Sequence, residues 1–288
     1  MNYEQSGTLQ QPQSPAETRP LDALVRVDAL PFVWCSGCGL GIVLSAYLDA
    51  VAKSGRGRDH NACVCGIGCV GRIAKYVDMD SYDVPSGRAI PFAIGMAISR
   101  PDLEVFAIVG EGELDGTGRE HLRRAATRNV DLNVIVISNL AVDNAIRVTH
   151  SKSEAGGKIA LCADKFEDIP VMVANDGASF AARWTAVHTL QIRAAIRRMM
   201  QTDGFALLEV LSPCSITQGR SAEGLKMMKY FQEKSASASD SATGEPARGK
   251  GESIIVGNIA ERTRASYQKA MSRPHYQEFQ GREKEADP

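Results

Sequence analysis

The sequence has neither a strong excess of one charge nor a long apolar run. Its 33 Lys and Arg residues nearly balance 34 Asp and Glu residues, for a net charge of −1. It therefore lacks the basic surface that is typical of nucleic-acid-binding proteins. No run of about 18 apolar residues suggests a transmembrane helix. The first 20 residues lack the basic start and apolar centre of a secretory signal, so we expect a cytoplasmic protein without membrane partners.

Seven cysteines are the feature that most needs an explanation. Disulfides are rare in a reducing compartment, where clustered cysteines more often bind metals or act as catalytic thiols. Cys35 and Cys38 form a C-x-x-C pair, a spacing shared by zinc, redox and iron–sulfur sites. Cys69 and Cys214 each follow a predicted strand, so a parallel sheet could bring all four thiols to one edge. A buried, structural role is the alternative, above all for the other three cysteines, Cys63, Cys65 and Cys162.

Hydrophobic patterns predict alternating helices and strands. The predicted helices span 40–51, 89–98, 118–128 and 190–200, the second of them buried, and the predicted strands span 62–65, 104–109, 132–137 and 206–211. Such alternation is typical of an α/β fold in which helices cover both faces of a mostly parallel sheet.

Composition predicts four regions along the chain. We expect a disordered or extended N-terminal arm at 1–31, a main domain at 32–233, a low-complexity linker at 234–252 and a C-terminal arm at 253–288. The C-terminal arm should contain a short strand followed by an amphipathic helix.

An acidic, glycine-rich turn follows the predicted strand at 104–109. Gly110 and Gly112 flank Glu111, and glycines at a strand end let backbone N–H groups approach a phosphate closely. Glu111 could bind a divalent cation together with the side-chain oxygen of Asn139, which follows the next strand. This pattern favours a diphosphate–Mg²⁺ site, with an ordinary acidic turn as the alternative.

Taken in order, these segments resemble the β subunits of the 2-oxoacid:ferredoxin oxidoreductases. The resemblance runs from Phe32 to Thr217. It rests on the motifs W-C-S-G-C-G at 34–39, G-I-G-C at 66–69, G-R-A-I-P at 87–91, G-E-G-E at 110–113, A-A-T-R-N-V-D at 125–131 and V-L-S-P-C at 210–214. It implies the thiamine-diphosphate-binding fold, an α/β fold with a mostly parallel sheet.

The resemblance also implies the residues of the site. One [4Fe–4S] cluster would be held by Cys35, Cys38, Cys69 and Cys214. Mg²⁺ would be bound by the side chains of Glu111 and Asn139 and by the carbonyl oxygen of Ala141. The residues implied to bind thiamine diphosphate are Ile67, Gly68, Cys69, Val70, Gly87, Arg88, Gly110, Glu111, Gly112, Glu113, Asn139 and Asn144. For Arg88, an internal ion pair is an equal alternative to a phosphate or substrate carboxylate.

The implied activity is oxidative decarboxylation of a 2-oxoacid, usually to an acyl-coenzyme A, with electrons passed through the cluster to ferredoxin. The partner would be an α subunit, alone or with γ and ferredoxin-like δ subunits. Because the carboxylate that activates the cofactor comes from the α subunit in this family, the chain should be active only in the complex.

Three departures from the family pattern keep other functions open. Glu111 and Glu113 replace two aspartates of the family pattern, and Ser138 replaces an asparagine. Residues 142–148 replace a glycine-rich segment that usually wraps the cofactor in this family. The alternatives are an electron-transfer or scaffolding subunit with a weakened thiamine site, a non-oxidative thiamine enzyme, or a zinc-binding structural module.

Overall fold

The computed structural model describes residues 21–114, 117–138, 168–212, 214, 228–229, 231–237 and 254–272. Within these residues, eight strands form one sheet: β1 Asn61–Cys65, β2 Asp80–Asp83, β3 Glu104–Gly110, β4 Leu132–Ser138, β5 Phe180–Thr185, β6 Phe205–Leu211, β7 Ser235–Ser237 and β8 Ile254–Glu261. Their order across the sheet is β2-β1-β3-β4-β6-β5-β8-β7. All neighbouring strands run parallel except β5 and β8, which are antiparallel.

Eight α-helices with defined bounds accompany the sheet in the described part of the chain, and residues 228–229 and 231–234 are also helical. The eight helices are α1 Leu40–Ser54, α2 Gly68–Gly71, α3 Ile73–Tyr76, α4 Ala89–Ser99, α5 Thr117–Arg128, α6 Ile169–Asn175, α7 Thr189–Met200 and α8 Tyr267–Met271. None of them combines the length and apolar character needed to cross a membrane.

The helices form two layers because the central strands bury both of their faces. Along β3, Phe106 and Ile108 face a core shared with α1 and α7, whereas the alternate residues Val105 and Ala107 face a core shared with α4, α5 and α6. Strands buried on both faces are rich in apolar residues throughout, as expected for a parallel sheet between helices. The predicted α/β architecture is confirmed.

Every helix and strand predicted within 40–211 is present, with ends that differ by no more than a few residues. The prediction of a buried helix at 89–98 was only partly right, because α4 leaves Phe92 and Ile98 42% and 44% exposed. The sequence analysis missed α2, α3, β2, β5, α6 and β7, the last of which lies within the predicted linker at 234–252. Strand β2, with the sequence D-S-Y-D, is largely exposed and lacks an apolar face, so its pattern gave no signal.

Both predicted arms contain segments that join the main body. Leu24 is buried, and Val25 pairs with Val77 next to β2. In the C-terminal region, β8 adds an antiparallel strand beside β5, and α8 follows it. The strand and helix expected there are therefore both observed, and the strand extends the central sheet.

A largely buried ion-pair network lies near the carboxyl ends of β4, β5 and β6. Arg183 donates to Glu209 at 2.5 Å and forms two hydrogen bonds with Asp168, the residue that caps α6. Glu209 also accepts a hydrogen bond from Ser138, the last residue of β4. Burial alone would lower the pKa of Arg183, but Glu209 and Asp168 reverse that effect and raise it. The network fixes a charged strand residue inside the protein.

We predict that Arg183→Leu destabilises the protein by about 3–5 kcal/mol, because it leaves the Glu209 carboxylate buried without its cation. The free energy of unfolding in urea, followed by circular dichroism, measures the effect. Arg124→Leu is the matched control, since Arg124 pairs with Glu120 on an exposed helix face, where such pairs contribute less than about 1 kcal/mol. Equal effects of the two substitutions would contradict a structural role for the buried network.

Candidate functional site

The carboxyl ends of the central strands meet at one edge of the sheet. Strands β1, β3, β4 and β6 are consecutive parallel neighbours, and their last residues are in register or nearly so. The segments that follow them contain the G-I-G-C turn, the acidic turn and the residues leading to Cys214. In open α/β sheets, ligands bind at this edge. The cysteine-containing segments and the acidic, glycine-rich turn predicted from the sequence are therefore brought together at this edge.

The C-x-x-C turn is held by contacts to two other cysteine segments. Within the turn, the Cys38 N–H donates to the Cys35 carbonyl at 3.1 Å. Gly37 adopts a positive φ of 80°, which a residue with a side chain rarely does. The indole N–H of Trp34 donates to the Cys69 carbonyl at 2.8 Å. The turn thus lies directly against the segment that follows β1.

Ser212 fixes the other side of the turn. Its hydroxyl accepts a hydrogen bond of 3.2 Å from the Gly39 N–H, and it lies two residues before Cys214. A Cβ at Gly39 would lie 2.4 Å from the Ser212 oxygen, so the close approach requires glycine. The sequence analysis quoted Ser212 within a motif but assigned it no role. Its position as a polar residue just past a buried strand was the available signal.

The four predicted cluster thiols lie in one electrostatic neighbourhood. Burial raises the pKa of Cys38, the Leu40 N–H opposes this shift, and the thiols of Cys214, Cys69 and Cys35 raise it further. Cys35 and Cys69 are exposed, whereas the other two are partly buried. Among the described residues, no three His, Cys, Asp or Glu side chains are arranged to hold a single metal ion. A four-iron cluster places iron and sulfide between the thiolates and so requires wider separations than one ion does.

Cys63 and Cys65 form a separate, fully buried pair on β1. Their sulfur atoms are 3.4 Å apart in the core that also contains Tyr47. The pKa of Cys65 is raised well above its ordinary value. The hydrogen bond with Cys63 is the largest cause, and burial is the second. Both thiols are shielded from solvent, in line with the structural role predicted for them. The third such cysteine, Cys162, lies outside the described residues.

The side chain of Glu113 points into the protein and joins three turns. Its carboxylate accepts hydrogen bonds from the backbone N–H groups of Ile67 at 3.2 Å and of Gly87 and Gly110 at 3.4 Å each. Burial raises the pKa of Glu113, and the three N–H groups oppose that shift. A Cβ on Gly66 would lie within 2.0 Å of the carboxylate atoms, so this glycine leaves the space that the carboxylate fills.

Arg88 lies at the exposed rim of the same region. Its guanidinium donates to the Thr117 hydroxyl at 3.1 Å and to the Gly87 carbonyl at 3.4 Å. These contacts tie the start of α4 to the start of α5 and leave the charge near the glycine turns. Of the other predicted site residues, Asn139, Ala141 and Asn144 lie outside the described residues.

The residues at this edge fit a diphosphate and its cation. Three glycine-containing turns converge on one point, where the Glu113 carboxylate holds them together, and the positively charged guanidinium of Arg88 lies at the exposed rim beside them. Glu111, a partly buried carboxylate in the turn after β3, has the oxygen donors that Mg²⁺ prefers. The four cysteine thiols predicted to bind an iron–sulfur cluster lie at the same edge of the sheet.

Comparison with known proteins agrees with this arrangement. Residues 66–210 match the family model of the thiamine pyrophosphate enzyme, C-terminal TPP binding domain. The chain is 35% identical over 246 residues to the 2-oxoglutarate synthase subunit KorB of Methanothermobacter thermautotrophicus, covering 83% of this chain and 85% of that protein. It is 34% identical to 2-oxoacid:ferredoxin oxidoreductase 2, subunit beta, of Aeropyrum pernix, over 63% of this chain and 60% of that one. The chain belongs to the family of 2-oxoacid:ferredoxin oxidoreductase β subunits.

A solved structure supports the fold of this β subunit. The 2-oxoglutarate:ferredoxin oxidoreductase of Magnetococcus marinus, which has 2-oxoglutarate, coenzyme A and succinyl-CoA bound, contains a chain with a TM-score of 0.75 to this one. The two are 21% identical, and the match covers 95% of this chain and 97% of that one. This likeness confirms the predicted thiamine-diphosphate-binding fold, and the sequence identity to the Methanothermobacter subunit confirms the predicted oxidoreductase family.

We predict that the cysteines of the cluster-free β subunit differ sharply in reactivity. Cys35 and Cys69 are exposed and should alkylate first, whereas Cys38 should react more slowly because burial and its raised pKa reduce its thiolate fraction. Cys63 and Cys65 should react only after unfolding. Timed labelling with iodoacetamide and peptide mass spectrometry gives the order. Early labelling of Cys63 would contradict the buried position of β1.

Proposed function

We propose that this β subunit works with an α subunit in the oxidative decarboxylation of a 2-oxoacid, with coenzyme A as acyl acceptor and ferredoxin as electron acceptor. The observation that carries the proposal is the neighbourhood of four thiols, located at the same sheet edge as the glycine turns around Glu113. Together they would place an electron acceptor beside a diphosphate-bound cofactor. Such a combination suits a decarboxylase with redox output better than one without it.

The iron–sulfur part of the proposal rests on the cysteine turn. Cys35, Cys38, Cys69 and Cys214 would ligate one [4Fe–4S] cluster, consistent with the contacts of Trp34 to Cys69 and of Gly39 to Ser212 that hold the three segments together. Hydrogen bonds and burial around the sulfur atoms set the reduction potential of such clusters. The partial burial of Cys38 would contribute to that tuning.

The cofactor part rests on the glycine turns. Thiamine diphosphate, when bound, supplies a nucleophilic carbon and an electron sink for decarboxylation of the 2-oxoacid. Glu111 and Asn139 by their side chains, and Ala141 by its carbonyl oxygen, would hold the Mg²⁺ that neutralises the diphosphate. Arg88 is positioned near the same turns to offer its positive charge to a phosphate or a substrate carboxylate.

The α subunit would complete the active site. The described part of the chain offers no carboxylate that we assign to activation of the aminopyrimidine ring, and the partner would provide it. Exposed apolar side chains near the site, Ile67 at 51% and Phe92 at 42%, are consistent with a protein surface that becomes covered in a complex. The isolated β subunit should therefore be inactive.

Reduction of a viologen dye by the anaerobically purified complex tests the function. We expect 2-oxoglutarate to be the best substrate in a panel of 2-oxoacids, because several relatives are 2-oxoglutarate synthase subunits. Reduction should require thiamine diphosphate and Mg²⁺ and should increase with coenzyme A. The isolated chain is the control. Reduction with pyruvate but not 2-oxoglutarate would change the substrate, whereas no reduction with any acid would reject the proposed activity.

An electron-transfer or scaffolding role with a weak thiamine site is the second candidate. Glu111 favours it, because glutamate adds a methylene where the family pattern has aspartate and Mg²⁺ requires short, near-octahedral bonds. A complex that contains iron and sulfide but binds no thiamine diphosphate would support this role. Glu111→Asp should then restore binding if the longer side chain is the cause.

We predict that Cys38→Ala abolishes the cluster while Cys63→Ala retains it. Both substitutions remove one thiol, but only Cys38 lies among the four proposed ligands. Iron and acid-labile sulfide per complex, together with the visible absorption of the cluster, are the measurements. Retention of full iron and sulfide by the Cys38 variant would contradict the proposed ligand set. One zinc ion without sulfide in the wild-type complex would instead favour a structural zinc site.

A further inference from the structure

We propose that Glu113 is a positioning residue whose carboxylate cross-links the three turns of the cofactor site. In this role its carboxylate acts through the main chain of the turns and does not itself contact the cofactor, although the family resemblance places Glu113 among the cofactor-binding residues. The inference rests on the proposed function for its effect on thiamine diphosphate, but the cross-link itself is a property of this chain. It assigns a role to the second acid of the G-E-G-E motif, in which Glu111 is the proposed metal ligand.

The three hydrogen-bond donors come from parts of the sequence that are far apart. Ile67 follows β1, Gly87 precedes α4, and Gly110 ends β3. All three donate to one carboxylate, at 3.2, 3.4 and 3.4 Å respectively. A single side chain therefore sets the relative positions of three turns that the family resemblance assigns to the cofactor.

Packing holds the carboxylate in this place. Glu113 is 5% exposed, and an unpaired carboxylate at such a position would be costly. On one side it fills the space left by Gly66, where a Cβ would lie 1.8 Å from one carboxylate oxygen and 1.9 Å from the other. The N–H groups of Ile67, Gly87 and Gly110 are already engaged, so their turns, and not these N–H groups, would serve the cofactor. Misplaced turns should weaken binding even though the groups facing the cofactor are unchanged.

Hydrogen exchange tests the cross-link without any cofactor. In the purified complex, Glu113→Ala should increase amide exchange in peptides that contain Ile67, Gly87 and Gly110, because each loses its acceptor. Glu113→Gln keeps the shape but turns an amide NH₂ toward the donors, so it should show a smaller increase. Glu120→Ala is the matched control, since it removes one exposed glutamate from α5. Exchange equal to that of the control would overturn the cross-link.

Calorimetry with thiamine diphosphate and Mg²⁺ tests the effect on the site. We expect Glu113→Ala to weaken cofactor binding on the order of 10- to 100-fold, as is typical for groups that orient the ligands of a site. Tighter binding would overturn the inference, because it would mean that the carboxylate competes with the diphosphate for one place. Unchanged binding would also overturn it. A wild-type complex that binds no cofactor would instead reject the proposed function, and hydrogen exchange would still decide the cross-link.

Rescue by formate separates positioning from general loss of stability. In Glu113→Ala, formate can enter the space of the missing carboxylate and accept the same three hydrogen bonds. It should restore most of the cofactor affinity and the slow exchange. In the double variant Glu113→Ala with Gly66→Ala, the new Cβ occupies that space, so formate should have no effect. Equal responses of the two variants to formate, after correction for its effect on the wild type, would contradict the proposal.

Discussion

The arrangement of this protein depends on the parallel pairing of β1, β3, β4 and β6. Parallel neighbours must end at the same edge of a sheet, so residues separated by more than a hundred positions are brought side by side. The G-I-G-C turn, the acidic turn and the segment with Ser212 and Cys214 each follow one of these strands. The register of the sheet therefore determines which loops can share a ligand. Neither the cysteine group nor the glycine turns could form if one strand ran in the opposite direction.

Much of this could be predicted from the sequence, since its helices and parallel strands carry strong apolar patterns. Strand β5 was missed for a physical reason. Its sequence F-A-A-R-W-T contains the strand formers Phe, Trp and Thr, but two alanines and a charged residue at its centre interrupt any alternating or continuous apolar pattern. Arg183 is tolerated there only because Asp168 and Glu209 surround it, and neither partner is close to it in sequence. Tertiary contacts decided the structure of this segment, and local patterns do not report them.

The site shows the same division between motif and geometry. The types of residue at the sheet edge were evident from their motifs, including the cysteines of the C-x-x-C pair, Cys69 and Cys214. The directions of their side chains were not. Nothing in G-E-G-E indicates that the first acid remains near the surface of the turn whereas the second points inward to Ile67, Gly87 and Gly110. Likewise, the hydrogen bond between Gly39 and Ser212 joins residues 173 positions apart.

The contact between Glu113 and Gly66 gives a reason for the length of this acidic side chain. A carboxylate that must reach donors on three turns has to extend past its own turn, and glutamate has one more methylene than aspartate for that purpose. The space that it reaches exists only because residue 66 has no Cβ. The two positions are therefore coupled: a larger residue at 66 would exclude the carboxylate, and a shorter acid at 113 would have to draw the three turns closer together. A departure from the family pattern at one position in the motif can in this way be compatible with an intact site, provided that the turns around it adjust to the same extent.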